Sequence, residues 1–467
     1  MRKFKHILFI FVLVVFSSFL LKAQWLPTNG PFPQNTVKVL QVGTYLHALT
    51  DSSGIKRIAN SKNGGFTWKN IDSTEKYHFK SIELRGATLF GASDSSVYKS
   101  SNHGLTWIPA DTLLKPLIAQ TIINKIVQFS GIIYALTGNG IYYTPDNGST
   151  WGIFSQGWNT NVLSMVVNGD TVYVGTKNNG IYRSLDAGVS WQNFFSGQLL
   201  DVNALSIFKG KVLAGTNTGL FYSLNYGVLW TMSNVNDDIS SFCIKGADIF
   251  ATSSSGGGVF HYTSDTNYTW VAVNTGLANT EVQNLAVNDT FLYAATTDRV
   301  WKRPLSDLIT FSIKLTADPI GSATLFGNGI YPYGSTVQIK ADSNSGYSFD
   351  KWLEDGSLFW SDSVFTISPL YRDYDLVAKF KVVNTIPTLS FSDINLFPNP
   401  SDGDIILNVG NKLLGEQYFV YDVLGKMVLY GKLENKDTHI DLSGYQEGNY
   451  FLKIGNDRYQ SFQLIKL

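Results

Sequence analysis

SLDAGVSW, at residues 184–191, has five further forms in the same chain: SKNGGFTW (61–68), SSNHGLTW (100–107), TPDNGSTW (144–151), SLNYGVLW (223–230) and TSDTNYTW (263–270). The shared order is a hydroxyl residue, then Asp or Asn, then Gly, then Trp. Successive tryptophans stand 39, 44, 40, 39 and 40 residues apart. Asn63, Asn102, Asp146, Asp186, Asn225 and Asp265 suit a tight turn, because a short polar side chain accepts backbone N–H bonds two residues on. The following Gly supplies a positive φ. In the sixth copy Asn267 takes that place, as the next best residue for a left-handed backbone. Trp68, Trp107, Trp151, Trp191, Trp230 and Trp270 each bring a large ring to bury between neighbouring units.

Working outward, each box is preceded by alternating apolar runs, such as VLSMVVNG (162–169) and TVYVGT (171–176), then NNGIYRS (178–184). Period-2 runs bounded by turn residues read as strands. Four short strands per ~40–45 residues is the signature of a propeller blade. Six boxes give six blades. A further unit, EVQNLAVNDTFLYAATTDRVWKRP (281–304), has three strand-like pieces and no box. Its missing strand is supplied by WLPTNG (25–30), which resembles WVAVNTG (270–276). The expected fold is therefore all-β: a β-propeller over residues 24–310, seven-bladed with the N-terminal strand closing the ring, or six-bladed as the alternative.

The repeat resembles the Asp-box, or BNR, repeat of sialidases, sortilin-type receptors and xyloglucan-active glycosidases. That resemblance implies boxes at the blade periphery, remote from any catalytic centre, so Asp146, Asp186 and Asp265 are expected to form turns.

Residues 311–382 break the period. Gly329–Tyr333, Gly334-Ser335, Gly346-Tyr347-Ser348-Phe349, Lys351-Trp352, Asp355-Gly356 and Leu376–Phe380 resemble the divergent internalin-B-type repeat of bacterial surface proteins. Such domains serve as spacers or adhesion modules, and Trp352 and Tyr347 are expected in its core. A linker follows at 383–392. Residues 393–467 alternate strands with Asn-Pro, Asp-Gly and Gly turns, which suggests an immunoglobulin-like β-sandwich. Pro398, Asn399, Pro400, Gly403, Asp422, Gly425, Lys426, Gly448, Tyr450 and the terminal Lys466 resemble the type A sorting domain of the type IX secretion system of Bacteroidota. The resemblance implies passage across the outer membrane and a partner in that secretion machinery.

Residues 1–23 have a basic start (Arg2, Lys3, Lys5), an apolar run from Ile7 to Phe16, then small residues. This is the pattern of a cleaved signal peptide, with the cut expected after Ala23. The apolar run is short of the ~20 residues that span a bilayer. No other stretch could cross, so the mature chain is expected to lack a transmembrane segment.

Composition narrows the function. The 467 residues carry 36 Lys+Arg against 36 Asp+Glu. Removing the leader leaves the rest mildly acidic, with no basic stripe for nucleic acid. The single cysteine, Cys243, excludes an internal disulfide framework and a CxxC metal site. No metal or cofactor is expected. His47, His78, His103 and His261 lack metal-like spacing, and no GxSxG, HExxH or phosphate loop occurs.

A glycosidase needs two carboxylates roughly 5–10 Å apart. Loop acids Asp51, Asp94, Asp201, Asp237, Asp238, Glu281 and Asp298 were the residues available, with Asp237-Asp238 the most noticeable pair and the catalytic candidates. Trp158, Tyr77 and Phe195 suit stacking on sugar faces. Trp158, Tyr77, Asp201 and Asp298 are the ligand-binding candidates. The expected function is a secreted or surface binding and adhesion protein whose propeller face holds a glycan or protein. The alternative is a secreted glycoside hydrolase of the xyloglucanase or sialidase sort.

Overall fold

The computed structural model describes residues 24–31, 35–71, 76–118, 121–158, 160–194, 200–264, 268–383, 394–455 and 460–467. The leader, most of the linker, Phe195, Asp265 and Asn267 lie outside them. Contacts gather residues up to 343 and 349–380 into one unit, and 344–348 with 381–467 into a second.

In the first unit, the described residues form seven four-stranded antiparallel sheets of the propeller, at 35–71, 81–109, 123–156, 162–193, 202–232, 239–272 and 282–304 with 26–27. The first strand of each sheet touches the first strand of the next, and the first strand of the seventh touches that of the first, so the ring is closed. The seventh sheet takes its outer strand from the N-terminus: Leu26 pairs with Lys302 and Pro27 with Trp301. Trp25 beside it is 1% exposed, and its indole Nε1 donates to the Val273 carbonyl at 2.7 Å. Closure by a distant segment leaves no open edge on the last strand.

The first five boxes sit at the turns before the outermost strands of their sheets, and the sixth, 263–270, lies only partly within the described residues. In the third, the Thr144 hydroxyl accepts from the Gly148 N–H at 2.8 Å, and Asp146 Oδ1 accepts from the Thr150 N–H at 2.8 Å. The first, second, fourth and fifth copies repeat both bonds. The carboxylate or amide therefore reaches four residues on, rather than the two expected from the sequence. The reason is two successive left-handed residues, such as Asn147 (φ 61) and Gly148 (φ 79), which curl the loop back over Asp146. Hydrogen bonds from Thr150 hold the Asp146 carboxyl at about 2, and those from Ser190 do the same for Asp186.

Each box tryptophan joins its own sheet to the one before. Trp107 packs with Leu49 and Ile58, Trp151 with Phe90 and Val97, and Trp68 with Tyr293 and Val300 across the closure. Trp151 Nε1 also donates to the Ala110 carbonyl at 2.7 Å. The ring is thus held by buried aromatic contacts between sheets, each a large apolar area removed from water.

Residues 310–382 form a five-stranded sheet and a three-stranded sheet around Trp352, which is fully buried against Phe349 and Phe365. Tyr347 is half-buried.

The second unit is a β-sandwich of a three-stranded and a four-stranded sheet. Its core is Ile405, Leu407, Val420, Ile440, Leu452 and Leu464, all fully buried. Asn399 clamps the last strand: its Oδ1 accepts from the Ile465 N–H at 2.8 Å and its Nδ2 donates to the Gln463 carbonyl at 2.7 Å. Lys466 is 8% exposed, and its ammonium donates to the carbonyls of Ser443 and Tyr445. Asp422 Oδ1 accepts from the N–H groups of Leu424 and Lys426, both at 2.9 Å, around the left-handed Gly425. The Tyr450 hydroxyl donates to the Gln446 carbonyl at 2.7 Å. Gly403 has φ +135, and a Cβ there would stand 2.8 Å from Ser443 Cα, so only glycine fits.

Candidate functional site: the central channel

Asp201, Asp238 and Asp298 are each hydrogen-bonded within the fold. Asp201 and Asp238 occupy equivalent places in successive sheets, each one residue before the first strand. Each accepts, through its backbone carbonyl, an N–H from the hairpin turn of its own sheet: Asn217 to Asp201 at 3.1 Å and Ser254 to Asp238 at 2.9 Å. Asn161 does the same for Lys177 at 2.9 Å. The side chains are likewise committed. Asp201 Oδ1 accepts from the Asn178 N–H at 3.0 Å, and Asp238 Oδ1 accepts from Asn203 Nδ2 at 2.9 Å. Asp237 packs against Gly257, where an added Cβ would lie 2.6 Å from its carboxylate. Of the Asp237-Asp238 pair of the sequence, Asp238 bonds to Asn203 and Asp237 lies against Gly257.

Asp298 is also built in. Burial opposes its charge, but hydrogen bonds from Thr296, Trp301 and Arg299 outweigh that and hold its carboxyl below the usual range. Of the described aromatic candidates, Trp158 is buried and Tyr77 is half-buried. Trp158 is 9% exposed, donates Nε1 to Ser155 Oγ at 3.0 Å, and meets Tyr182 and Trp191 edge-on. Tyr77 stacks on Phe79 at 5.3 Å between ring centroids and packs in the cluster around Trp107. Both rings pack against other aromatic rings. Among the described residues no cluster of three or more His, Cys, Asp or Glu could hold a metal ion.

A cavity lies on the propeller axis. About 630 Å³ of space is lined by the first strands of all seven sheets. In six sheets the pairing of that strand skips one residue at the same place: Val37, Asn124, Leu163, Asn203, Ser240 and Gln283. Such bulges re-aim side chains. The residue after each skip is Lys38, Lys125, Ser164, Ala204, Ser241 or Asn284, and all six line the cavity. Plain alternation would put only one of two successive residues there. At four of the six skips, as with Asn124 and Lys125, both residues line the cavity, and the skip leaves no mark in the sequence that period-2 reading detects.

Most polar groups of the channel stitch one first strand to the next. Ser164 Oγ donates to the Val202 carbonyl at 2.7 Å, Asn124 Nδ2 to Val162 at 3.2 Å, and Ser240 Oγ to Val282 at 3.0 Å. Asn284 accepts from the Val39 N–H at 3.1 Å and donates to Ser241 Oγ at 3.1 Å. Lys38 bridges to Glu83 of the second sheet at 2.9 Å, and Lys80 pairs with Asp94. Lys125 differs. Among the described residues its ammonium has no hydrogen bond and no ion pair. Burial pulls it down to about 8, with nearby Lys38 adding to the shift and Glu83 opposing it.

Comparison with known families finds two matches. Residues 395–466 match the secretion system C-terminal sorting domain, and residues 311–384 match the divergent InlB B-repeat domain. The chain carries a secretion sorting domain at its C-terminal end. That domain is one recognised by type IX secretion machinery, which makes the chain a secreted or cell-surface protein. Comparison with curated proteins found no match.

Among solved structures, the extracellular domain of a putative one component system, BT4673, from B. thetaiotaomicron is 12% identical with a TM-score of 0.50. The alignment covers 95% of this chain and 79% of that one. YCF48 from Cyanidioschyzon merolae is 13% identical with a TM-score of 0.46, over 60% of this chain and 98% of that one. PorZ, described as a surface component of the type IX secretion system of Porphyromonas gingivalis, is 11% identical with a TM-score of 0.46, over 94% and 60%. At these identities the likeness concerns the fold alone. Among the described residues no helix is long and apolar enough to cross a membrane.

Proposed function

We propose that this chain is a surface or secreted binding protein, exported by its N-terminal signal peptide and then by the type IX route, whose propeller holds a glycan or protein partner. The observation that carries the reading is the sorting domain at 395–466 joined to a propeller with a polar, ligand-sized axial channel. Small-molecule sites fall at roughly 300–1,000 Å³, and the channel lies in that range. The carboxylates of Asp201, Asp238 and Asp298 are hydrogen-bonded within the fold, which speaks against an acid–base role for them. The internalin-B-type domain fits a spacer that sets the propeller off from its attachment point.

Two measurements test this. Removing residues 395–467 should trap the protein in the periplasm, and unchanged surface display of that truncation would defeat the export reading. The mature chain should bind at least one member of a panel of plant, algal and host polysaccharides without releasing reducing ends. Release that is abolished by Asp237→Asn or Asp238→Asn would replace binding with hydrolysis.

A further inference from the structure

We infer that the axial channel binds a carboxylate-bearing, hydroxyl-rich ligand, an acidic sugar, with the carboxylate on Lys125. The inference deepens the binding-protein reading and rests on it.

The charges decide the ligand's sign. Four ionisable side chains line the channel: Lys38, Lys80, Glu83 and Lys125. Lys38 is satisfied by Glu83 and Lys80 by Asp94. Lys125 is left over, set between the second and fourth sheets on the wall of the 630 Å³ space. The fourth to seventh sheets add no charge to the lining. They contribute hydroxyl, amide and aliphatic groups such as Ser206, Ser241, Gln283, Met165 and Leu205. A half-buried ammonium whose neighbouring carboxylate, Glu83, is already paired with Lys38 is held unfavourably, and desolvation lowers its proton affinity.

An anion entering the channel removes that cost, because an opposite charge favours the protonated form. The surplus is a single compact cation with no arginine fork and no helix N-terminus beside it. That suits a monoanionic carboxylate better than a phosphate, which proteins hold with bidentate arginine or clustered N–H groups. The neutral remainder of the lining offers hydrogen bonds from Ser206 and Gln283 to a hydroxylated body.

Binding must then be linked to a proton. With Lys125 near 8, about nine-tenths is charged at pH 7 and about one-tenth at pH 9, so affinity should fall about tenfold between them. Lys38, Lys80 and Glu83 are the other ionisable groups facing it.

The experiment is calorimetric titration of the full mature chain with digalacturonate, with galactobiose and inorganic phosphate as comparison probes. At pH 8, runs in two buffers of different ionisation enthalpy should show uptake of up to about half a proton. Lys125→Met should lower digalacturonate affinity at least tenfold and abolish the proton uptake, while Lys125→Arg keeps affinity within a few-fold and also loses the uptake. Thermal melts of both variants check folding. Digalacturonate affinity unchanged in Lys125→Met would overturn the inference. So would galactobiose binding as tightly, phosphate binding more tightly, or no binding of digalacturonate by the parent. A Lys125→Met protein with undiminished digalacturonate affinity that still holds a polysaccharide from the panel refutes the channel site while the binding-protein reading stands.

Discussion

Trp25→Ala asks how firmly the N-terminus closes the ring. The indole is 1% exposed, donates to Val273 at 2.7 Å, and its own backbone N–H donates to Thr275 at 2.8 Å. Its carbonyl lies against Gly276, where a Cβ would come within 2.8 Å. A buried aromatic removes roughly 150–250 Å² from water. At about 25 cal/mol per Å² that is ~4–6 kcal/mol, and truncations of this kind cost about 3–5 kcal/mol. The loss has a ceiling, because the two-residue strand at Leu26–Pro27 can peel away once its anchor is gone. We therefore expect about 4 kcal/mol and, at roughly 2 °C or more per kcal/mol for a domain of this size, a melting drop of at least about 8 °C. Circular dichroism of the mature chain reads the melt. Hydrogen exchange at residues 300–304 reads the peeling, since that strand becomes an edge. Trp25→Phe, which keeps the ring and loses the indole bond, should cost only about 1 kcal/mol. A Trp25→Ala protein that melts within about 2 °C of the parent, with unchanged exchange at 300–304, would refute closure by this segment.

His47 is fully buried, shares a hydrogen bond with Asn60 Oδ1 at 2.8 Å, and stacks on His103. Burial lowers it to about 4, against 6.5 in an unfolded chain. The unfolded state therefore takes up the proton first, so this contribution is full above pH 6.5 and falls away toward pH 4, by about 3 kcal/mol in all. His47→Gln should flatten the melting curve against pH over that window, and an unchanged slope would show that His47 is not the source. Gly403→Ala should destabilise the sorting domain by about 2 kcal/mol or more, because φ +135 and the Ser443 backbone both exclude a Cβ. Cells making that variant should accumulate it before the outer membrane, whereas normal export would argue that the local geometry is dispensable. Asp238→Ala should lower the melting temperature through the lost Asn203 bond and leave polysaccharide binding alone. A selective loss of binding would return the loop acids to the site.

The sequence by itself determined the architecture, and the reasons are local. A turn that needs a hydroxyl, a carboxylate or amide and left-handed residues writes its requirements into neighbouring positions, and Trp68 through Trp270 repeat at blade length because each must reach the preceding sheet. The sorting domain was legible for the same reason: Asn399, Gly403 and Asp422 answer constraints set within their own loops and the strand beside them. The N-terminal strand was readable too, because WLPTNG still carries the pattern of an outer strand.

Only the tertiary structure brings the channel groups together. Lys38, Glu83 and Lys125 come from three sheets and line one channel because the ring closes. Asp201 and Asp238 look like free loop acids in the sequence, and only the fold shows them repeated one sheet apart, each bonded to its own hairpin. Charge pairing across sheets is a matter of distance in space, and Lys125 became conspicuous only once every other ionic group in the channel had a partner beside it.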